Sequence, residues 1–431
     1  MGGQASVAAV KGFRDVLPNE SRLWRQLEAT AAEVFARHDF QPVVLPVVER
    51  SELFARSLGE GTDVVDKEMY TFEDRDGTML TLRPEATAST VRAYMESGLG
   101  ARGQAARFWY AGPMFRRERP QRGRYRQFHQ LGVEAFGQNE PIVDAEILVM
   151  LMGLLDRVEV RDVRLDLGSL GDDACRPAYR ERLAVFARSR RDALCGDCHR
   201  RLEHNPLRVL DCKVPTCRSA LHDAPVMLDH LCAPCREHFD AVRDLLEREG
   251  VRYALAPRLV RGLDYYTRTA FEITAGGLGA QDAVGGGGRY DGLVAALGGP
   301  NVPAFGFALG MERLALAAGA NVHETLPAMA ILPLVAEAAG PALSVATRLR
   351  AAGLTVVLEP PGRSLKALLR SANRRQARAA LLLGGDELAA GRGTVRDLVR
   401  GIDHRLALPL DADAEELVRW VREHDARENA G

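Results

Sequence analysis

Hydrophobic positions recur along this chain in changing rhythms. Within "NESRLWRQLEATAAEVFARHDF", Leu23, Leu27, Ala31 and Val34 fall on one helical face, and Phe40 then leads into the apolar stretch "VVLPVV". Pro46 interrupts that stretch and has no N–H to donate to a ladder, so the stretch reads as an edge strand or an interface segment. From Phe108 to Phe136 the rhythm becomes a strand, an arginine-rich loop and a second strand. Further on, "GPNVPAFGFALGMERLALAAG" reads as a strand that passes through Gly310 into a helix. These pieces predict an α+β fold, an antiparallel sheet with flanking helices rather than a doubly wound one.

After Thr325 the grammar changes. "MAILPLV", "LTVVLE" and "ARAALLLG" are short apolar strands that alternate with the helices "GPALSVATRLRAAG" and "RSLKALLRSANRRQ". Such βαβ alternation predicts a separate C-terminal α/β domain over residues 326–431. Residues 1–325 form the other domain, interrupted by an insertion at 172–251 that holds all the cysteines, many charges and few strand signals. A helical insertion is expected there.

Composition narrows the classes of function. The 431 residues carry 57 Lys+Arg against 58 Asp+Glu, a formal net charge of -1, so a nucleic-acid surface has to be a local patch. The longest apolar candidate, Ile142 to Leu155, is broken by Asp144 and Glu146, which argues against a membrane span. "MGGQAS" fits a myristoylation pattern through Gly2 and Ser6, but no second membrane signal accompanies it. The seven cysteines, an odd number, make a poor disulfide framework and suit a reducing cytoplasm.

Chemistry concentrates in "FWYAGPMFRRERPQRGRYRQFHQLGVEAFG", residues 108–137. Period-two alternation puts Phe128, Gln130 and Glu134 on one face of the second strand and Leu131, Val133 and Ala135 on the other. An aromatic, an amide and a carboxylate on a central strand call for a polar ligand or a polar cavity. Arg117, Arg119, Arg122, Arg124 and Arg126 lie between the strands, and guanidinium forks beside a polar sheet face suit phosphate oxygens. There is no G-x-x-x-x-G-K-[ST] loop, and the run Gly285 to Gly288 does not continue as a dinucleotide-binding fingerprint. Those glycines read as backbone that approaches a substrate closely, or as a flexible turn.

The hairpin resembles motif 2 of class II aminoacyl-tRNA synthetases, and its wording is similar to that of the histidyl-tRNA synthetase family. "KGFRDVLP", "LPVVERSELF" as motif 1, "TLRPEATAS", "RGLDYYTRTAFE", "GGGGRYDGLV" and "FGFALGMERL" as motif 3 extend the resemblance over nearly the whole chain. It implies a ligase that activates L-histidine with ATP and transfers it to the 3′ end of tRNA(His), with Mg²⁺ on the nucleotide. Arg261 and Arg116 would act on the α-phosphate. Glu85, Thr87, Gln130, Glu134, Tyr265 and Tyr266 would bind histidine, and Arg116, Arg124, Phe128 and Arg313 would bind ATP. Arg261 and Tyr266 can face one site only if the chain bends near Gly262. Motif 1 around Pro46 would build a homodimer, and the C-terminal domain, with Lys366, Arg370, Arg374, Arg375 and Arg378, would bind the anticodon stem.

The resemblance leaves one alternative, a non-catalytic paralogue serving as regulatory subunit of ATP phosphoribosyltransferase. Retention of Arg116, Arg261 and the C-terminal domain speaks against it. Cys195-x-x-Cys198 and Cys232-x-x-Cys235, with Cys212 and Cys217 as spares, form a zinc-like pattern, but the gap between the pairs is long. Structural zinc and reduced thiols both stay open there, and no metal ligand is assigned.

Overall fold

The computed structural model describes residues 7–59, 62, 64–100, 104–261, 263–279, 282–319 and 328–406. It divides the chain into two compact units, 1–322 and 323–431. The proposed myristoylation residues Gly2 and Ser6, and the bend at Gly262, lie outside the described residues.

In chain order, the first unit contains α1 (Pro18–Arg37), β1 (Gln41–Pro42), β2 (Val48–Arg50), α2 (Ser51–Leu58), β3 (Tyr70–Glu73), β4 (Met79–Leu82) and α3 (Thr87–Glu96). Next come β5 (Ala106–Phe115), β6 (Gln127–Phe136), α4 (Pro141–Arg157), β7 (Arg164–Ser169) and the insertion helices α5 (Arg176–Arg188), α6 (Gly196–His204), α7 (Pro215–Ala220) and α8 (Ala233–Arg248). β8 (Ala254–Leu255), β9 (Thr267–Thr274), β10 (Ala283–Arg289), α9 (Leu293–Ala296), β11 (Ala304–Gly310) and α10 (Met311–Ala317) complete it.

Eight strands form one sheet in the order β1-β5-β6-β11-β10-β9-β7-β8. The six central strands pair antiparallel, and only the short outer strands β1 and β8 join in parallel. The apolar stretch around Pro46 is not one strand: β1 ends at Pro42, β2 begins at Val48, and β2 belongs to a small sheet with β4 and β3. Arg83 fixes the segment between them. Its buried guanidinium donates to the carbonyls of Pro113 (2.9 Å) and Leu45 (3.0 Å), and Gly112 leaves it room.

Alternation decides which face of the large sheet is core. Leu131, Val133 and Ala135 on β6, Phe271 and Ile273 on β9, and Phe305, Phe307 and Leu309 on β11 pack under α1, α4 and α8. Each such side chain, fully removed from water, contributes roughly 1.5 to 3 kcal/mol before entropy is counted. The intervening residues face the other way and are free for chemistry. One buried charge cluster ties the layers together: Arg289 at the end of β10 meets Asp144 of α4 at 2.6 Å, and Asp144 also meets His238 of α8 at 2.9 Å. Both Asp144 and Arg289 are fully buried, so each needs an opposite charge, and Arg289 has a second one in Asp291 at 3.2 Å.

The second unit contains β12 (Met329–Pro333), α11 (Ala339–Ala351), β13 (Val356–Leu358), α12 (Leu365–Arg374), β14 (Ala379–Leu383), α13 (Gly385–Ala389), β15 (Gly393–Asp397) and β16 (Ile402–Leu406). The sheet order is β13-β12-β14-β15-β16, with the first three strands parallel and the last two antiparallel. α11 packs through Ala342, Val345, Ala346 and Leu349 in one apolar cluster, and α12 packs through Leu368 and Ala372 in another. The sequence reading did not anticipate β15 and β16, whose alternating charges leave only short apolar signals. Among the described residues no helix is long and apolar enough to cross a membrane.

Candidate active site

On the face of the large sheet away from the core lies a cavity of about 320 Å³. Glu85, Thr87, Arg116, Arg124, Phe128, Gln130, Arg261, Tyr265, Tyr266 and Arg313 all line it. They come from six separate segments of the chain. Glu134, the remaining residue picked out from the sequence, sits just behind the lining and reaches it through Thr87, whose hydroxyl donates to Glu134 Oε1 at 2.7 Å. Of the loop arginines, only Arg116 and Arg124 line the cavity. Arg117, Arg119 and Arg122 are exposed, and Arg126 donates instead to the carbonyl of Glu118 at 3.3 Å.

The floor of the cavity is β6. Phe128 and Gln130 point into it, and Glu134 is buried two residues beyond Gly132. Three hydroxyls surround the Glu134 carboxylate. Thr87 and Tyr110 (3.1 Å) donate to Oε1, and Tyr290 donates to Oε2. Burial pushes this carboxyl up to about 8 and nearby Glu85 adds to the rise, while the hydroxyls oppose it. A carboxylate offers about four lone-pair sites, so one on Oε2 is left for a further N–H donor. Tyr290 and Tyr110 were not identified from the sequence. Tyr290 directly follows the glycine run and Arg289, and an aromatic at the end of a strand of glycines is a signal that the reading passed over.

Glu85 lies at the start of α3, where its two oxygens accept the N–H groups of Thr87 (2.6 Å) and Ala88 (3.0 Å). It thereby serves the orphan donors of the helix N-terminus while still lining the cavity. Burial raises its carboxyl above the ordinary range.

Two atoms around the cavity have no partner. The Oε1 of Gln130 and the Nε of Arg261 are buried and make no hydrogen bond. An unpaired buried polar group costs about 1 to 3 kcal/mol, and one that faces a cavity is poised to recover this from a ligand. Arg261 also meets Glu272 at 3.3 Å and lies over the ring of Tyr266, 5.6 Å from its centroid. Tyr265 and Tyr266 have ring centroids 4.6 Å apart, and Tyr265 also packs edge-on against Tyr290. Arg261 and Tyr266 thus line the same cavity.

The glycine run is a strand, not a flexible turn. Gly285 to Gly288 pair with both β9 and β11. A Cβ on Gly286 would stand 2.7 Å from Arg261 Nη1, and one on Gly306 of β11 would stand 1.9 Å from Glu134 Oε2. The missing side chains make room for the two charged groups.

On the opposite wall, Arg116 donates to the carbonyl of Pro84 (2.9 Å) and lies over the ring of Phe128. Arg124 meets Glu118 at 3.2 Å. Arg313, at the start of α10, donates to the carbonyl of Ala283, and burial together with the Arg124 charge lowers its pKa. Beside it, Glu312 accepts the backbone N–H of His129 at 3.0 Å, which pins α10 to β6.

An antiparallel sheet with this cavity on its open face, an arginine-bearing hairpin on one side and a strand-to-helix arginine on the other, is the catalytic domain of a class II aminoacyl-tRNA synthetase. The family description "Histidyl-tRNA synthetase" matches residues 12–172 and 205–314, and "Anticodon binding domain" matches residues 328–424. A histidine–tRNA ligase of Trichlorobacter lovleyi is 50% identical over 398 residues, covering 92% of this chain and 94% of the relative. One from Anaeromyxobacter dehalogenans is 51% identical over 395 residues, covering 91% and 95%. The crystal structure of apo S. aureus histidyl-tRNA synthetase superposes with a TM-score of 0.79 at 32% identity, covering 96% of this chain and all of that one. A structure described as an ATP phosphoribosyltransferase regulatory subunit/histidyl-tRNA synthetase from Bacillus halodurans shares the fold, with a TM-score of 0.65, 21% identity and coverage of 89% and 100%. This chain belongs to the histidyl-tRNA synthetase family.

Proposed function

We propose that the chain is a histidine–tRNA ligase in which the cavity on the large sheet binds histidine and ATP side by side and joins them. The observation that carries the reading is that Arg116 and Arg261 line the same cavity as Glu85 and Gln130. Cations for a phosphate thus stand beside acceptors for an amino acid. A regulator of another enzyme would need the second set and not the first.

In this reading the imidazole enters between Tyr266 and Glu134. The last lone pair of Glu134 accepts one ring N–H, and the Tyr266 hydroxyl serves the other nitrogen. Glu85, Thr87 and Gln130 hold the ammonium group, with the orphaned Oε1 of Gln130 gaining a donor. Tyr265 and Tyr290 close the pocket sterically. Such a site rejects apolar isosteres strongly, since they would leave its buried polar groups unpaired.

Phe128 stacks on the adenine, Arg313 covers its other face or reaches the phosphates, and Arg124 meets the distal phosphates. The histidine carboxylate attacks the α-phosphorus, the bond to the bridging oxygen breaks, and pyrophosphate leaves with the electron pair. Arg116 and Arg261 stabilise the charge that grows on the α-phosphate oxygens in that step. Mg²⁺ bound with ATP would supply further neutralisation of phosphate charge. Glu118, Glu272 and Glu312 line the cavity with hard oxygens of the kind this ion accepts. The terminal ribose hydroxyl of tRNA(His) then attacks the acyl carbon and displaces AMP.

Lys366, Arg370 and Arg374 recur every fourth residue on the exposed face of α12, a basic stripe suited to phosphates of the anticodon stem. A homodimer through motif 1 is supported by exposed apolar side chains on and beside it: Val48 in β2, Val44 just before, and Phe72 and Met79 on β3 and β4 of the same small sheet all face solvent. A cytoplasmic location follows from the substrates. Histidine-dependent exchange of pyrophosphate into ATP, followed by charging of tRNA(His), tests the whole reading. Histidine binding without exchange would instead make the chain a regulator.

A further inference from the structure

The insertion has a small core of its own. Cys175, Cys198, Cys212, Cys217 and Cys235 are buried in it, with Cys195 and Cys232 packed against them. Filling the interior of a short helical segment with thiols, where leucines would bury more apolar area, leaves its stability to another source. All seven cysteines are free.

They fall into two groups. Cys195, Cys198, Cys212 and Cys217 place their sulfurs within 4.8 Å of one another, and so do the ligand atoms of Asp172, Cys175, Cys232 and Cys235. The two C-x-x-C pairs therefore do not share a site. Each pair combines with residues that its spacing alone did not reveal. We propose that the insertion holds two structural zinc ions, one bound by Cys195, Cys198, Cys212 and Cys217 and the other by Asp172, Cys175, Cys232 and Cys235.

The geometry fits zinc closely. A tetrahedral ion with Zn–S bonds of about 2.3 Å sets its sulfurs about 3.8 Å apart. The Cys195 and Cys212 sulfurs are 3.8 Å apart, and those of Cys175 and Cys235 are 4.0 Å apart. The Asp172 Oδ1 lies 3.6 Å from the Cys175 sulfur and 3.7 Å from that of Cys232, which completes a Cys₃Asp set. An iron–sulfur cluster interposes several atoms between its thiolates and needs them further apart. Cys195 and Cys232 immediately precede α6 and α8, with Cys198 and Cys235 in the first turns, so each helix start presents two sulfurs to one ion. In the first group the backbone N–H of Cys195 donates to the Cys217 sulfur at 3.1 Å.

The second site has a structural consequence. Asp172 and Cys175 stand at the entry of the insertion and Cys232 and Cys235 open its last helix, α8, so one ion clasps the entry to the start of that helix. Next to it, Arg176 donates to the Tyr266 carbonyl at 2.5 Å, and Asp172 pairs with Arg268 at 3.5 Å. The clasp thereby holds the strand entry that carries Tyr266. The first ligand pair, Cys195 and Cys198, falls in residues 173–204, which the family match skips.

The test is the metal content of the full chain purified in reducing buffer without added metal. About two zinc ions per chain are expected, with about one left in Cys212→Ser and one in Cys232→Ser. Because such variants can fail to fold, cobalt-substituted wild type supplies a second readout, the visible absorption of tetrahedral thiolate-bound Co²⁺. Chelation should lower the unfolding temperature and zinc should restore it. Wild type with only traces of zinc and all thiols reactive towards a thiol reagent would overturn the proposal. So would iron in place of zinc, or a mass lower by two hydrogens per disulfide in metal-free protein.

Discussion

Arg261→Ala isolates the electrostatic part of the reaction from the binding of the amino acid. Arg261 pairs with Glu272 at 3.3 Å, and among the described residues its Nε has no hydrogen-bond partner. Glu272 is 37% exposed, so losing the pair leaves a solvated carboxylate, and the cost to folding stays within about 1 kcal/mol. The cost to chemistry is far larger. A unit positive charge about 4 Å from the charge developing on the α-phosphate is worth about 4 kcal/mol at an effective dielectric constant of about 20. Loss of one preorganised donor to a developing oxyanion costs about 3 to 4 kcal/mol. At about 1.4 kcal/mol per tenfold, both figures give a fall of roughly 10² to 10³ in the rate of adenylate formation. Single-turnover formation of adenylate gives the rate, and equilibrium binding of histidine alone gives the affinity. The affinity should change by no more than a few-fold, because the proposed role of Arg261 is towards the phosphate and not the imidazole. Arg261→Lys, which keeps the charge but loses the planar fork, should fall between. A variant that binds histidine poorly yet forms adenylate at a near-normal rate once saturated would refute the assignment.

Three further outcomes follow from the same geometry. The Glu134 carboxyl is raised from about 4.5 to about 8, so its ionisation opposes the ligand-free fold. Stability is highest below the ordinary value, declines as pH rises and levels off above about 8, a loss of about 2 kcal/mol between pH 6 and 8.5. The urea midpoint should fall over that range in wild type and less in Glu134→Gln, and parallel curves would refute the shift. Asp144→Ala leaves the fully buried Arg289 with only Asp291, at 3.2 Å, for a carboxylate and should cost about 3 kcal/mol of unfolding free energy, where a loss below about 1 kcal/mol would refute the coupling. Val44→Asp, at a side chain 97% exposed, should turn a homodimer into a monomer in light scattering, and a monomeric wild type would sink the motif 1 interface.

What the sequence made legible was local. Alternation in residues 127–136 separates Leu131, Val133 and Ala135 from Phe128, Gln130 and Glu134, because a strand has only two faces. The segments that join them in space carry no such signal. Tyr110 sits in the apolar run of β5, and nothing in that run shows that its hydroxyl meets Glu134. Asp144 was read as a break in an apolar helix, which ruled out a membrane span. A lone charge on a buried helix also implies a buried partner, and Arg289 is that partner. In the insertion, spacing showed each C-x-x-C pair, while the fold adds the partners, Cys212 and Cys217 to one and Asp172 and Cys175 to the other.

The glycines of β10 show why local reading stops where it does. A run of four glycines has no pattern of its own, and its composition suits a flexible loop. In the fold it is a strand bonded on both edges, held at its end by the buried Arg289. A Cβ at Gly286 would stand 2.6 Å from the Phe271 carbonyl oxygen of β9 and 2.7 Å from Arg261 Nη1, and both neighbours come from segments earlier in the chain. The identity of residue 286 is therefore set by a strand backbone and a guanidinium that lie outside its own run. Its backbone has φ outside the left-handed region, so conformational freedom is not the reason for glycine there. Space for the β9 backbone and for the Arg261 guanidinium is the reason.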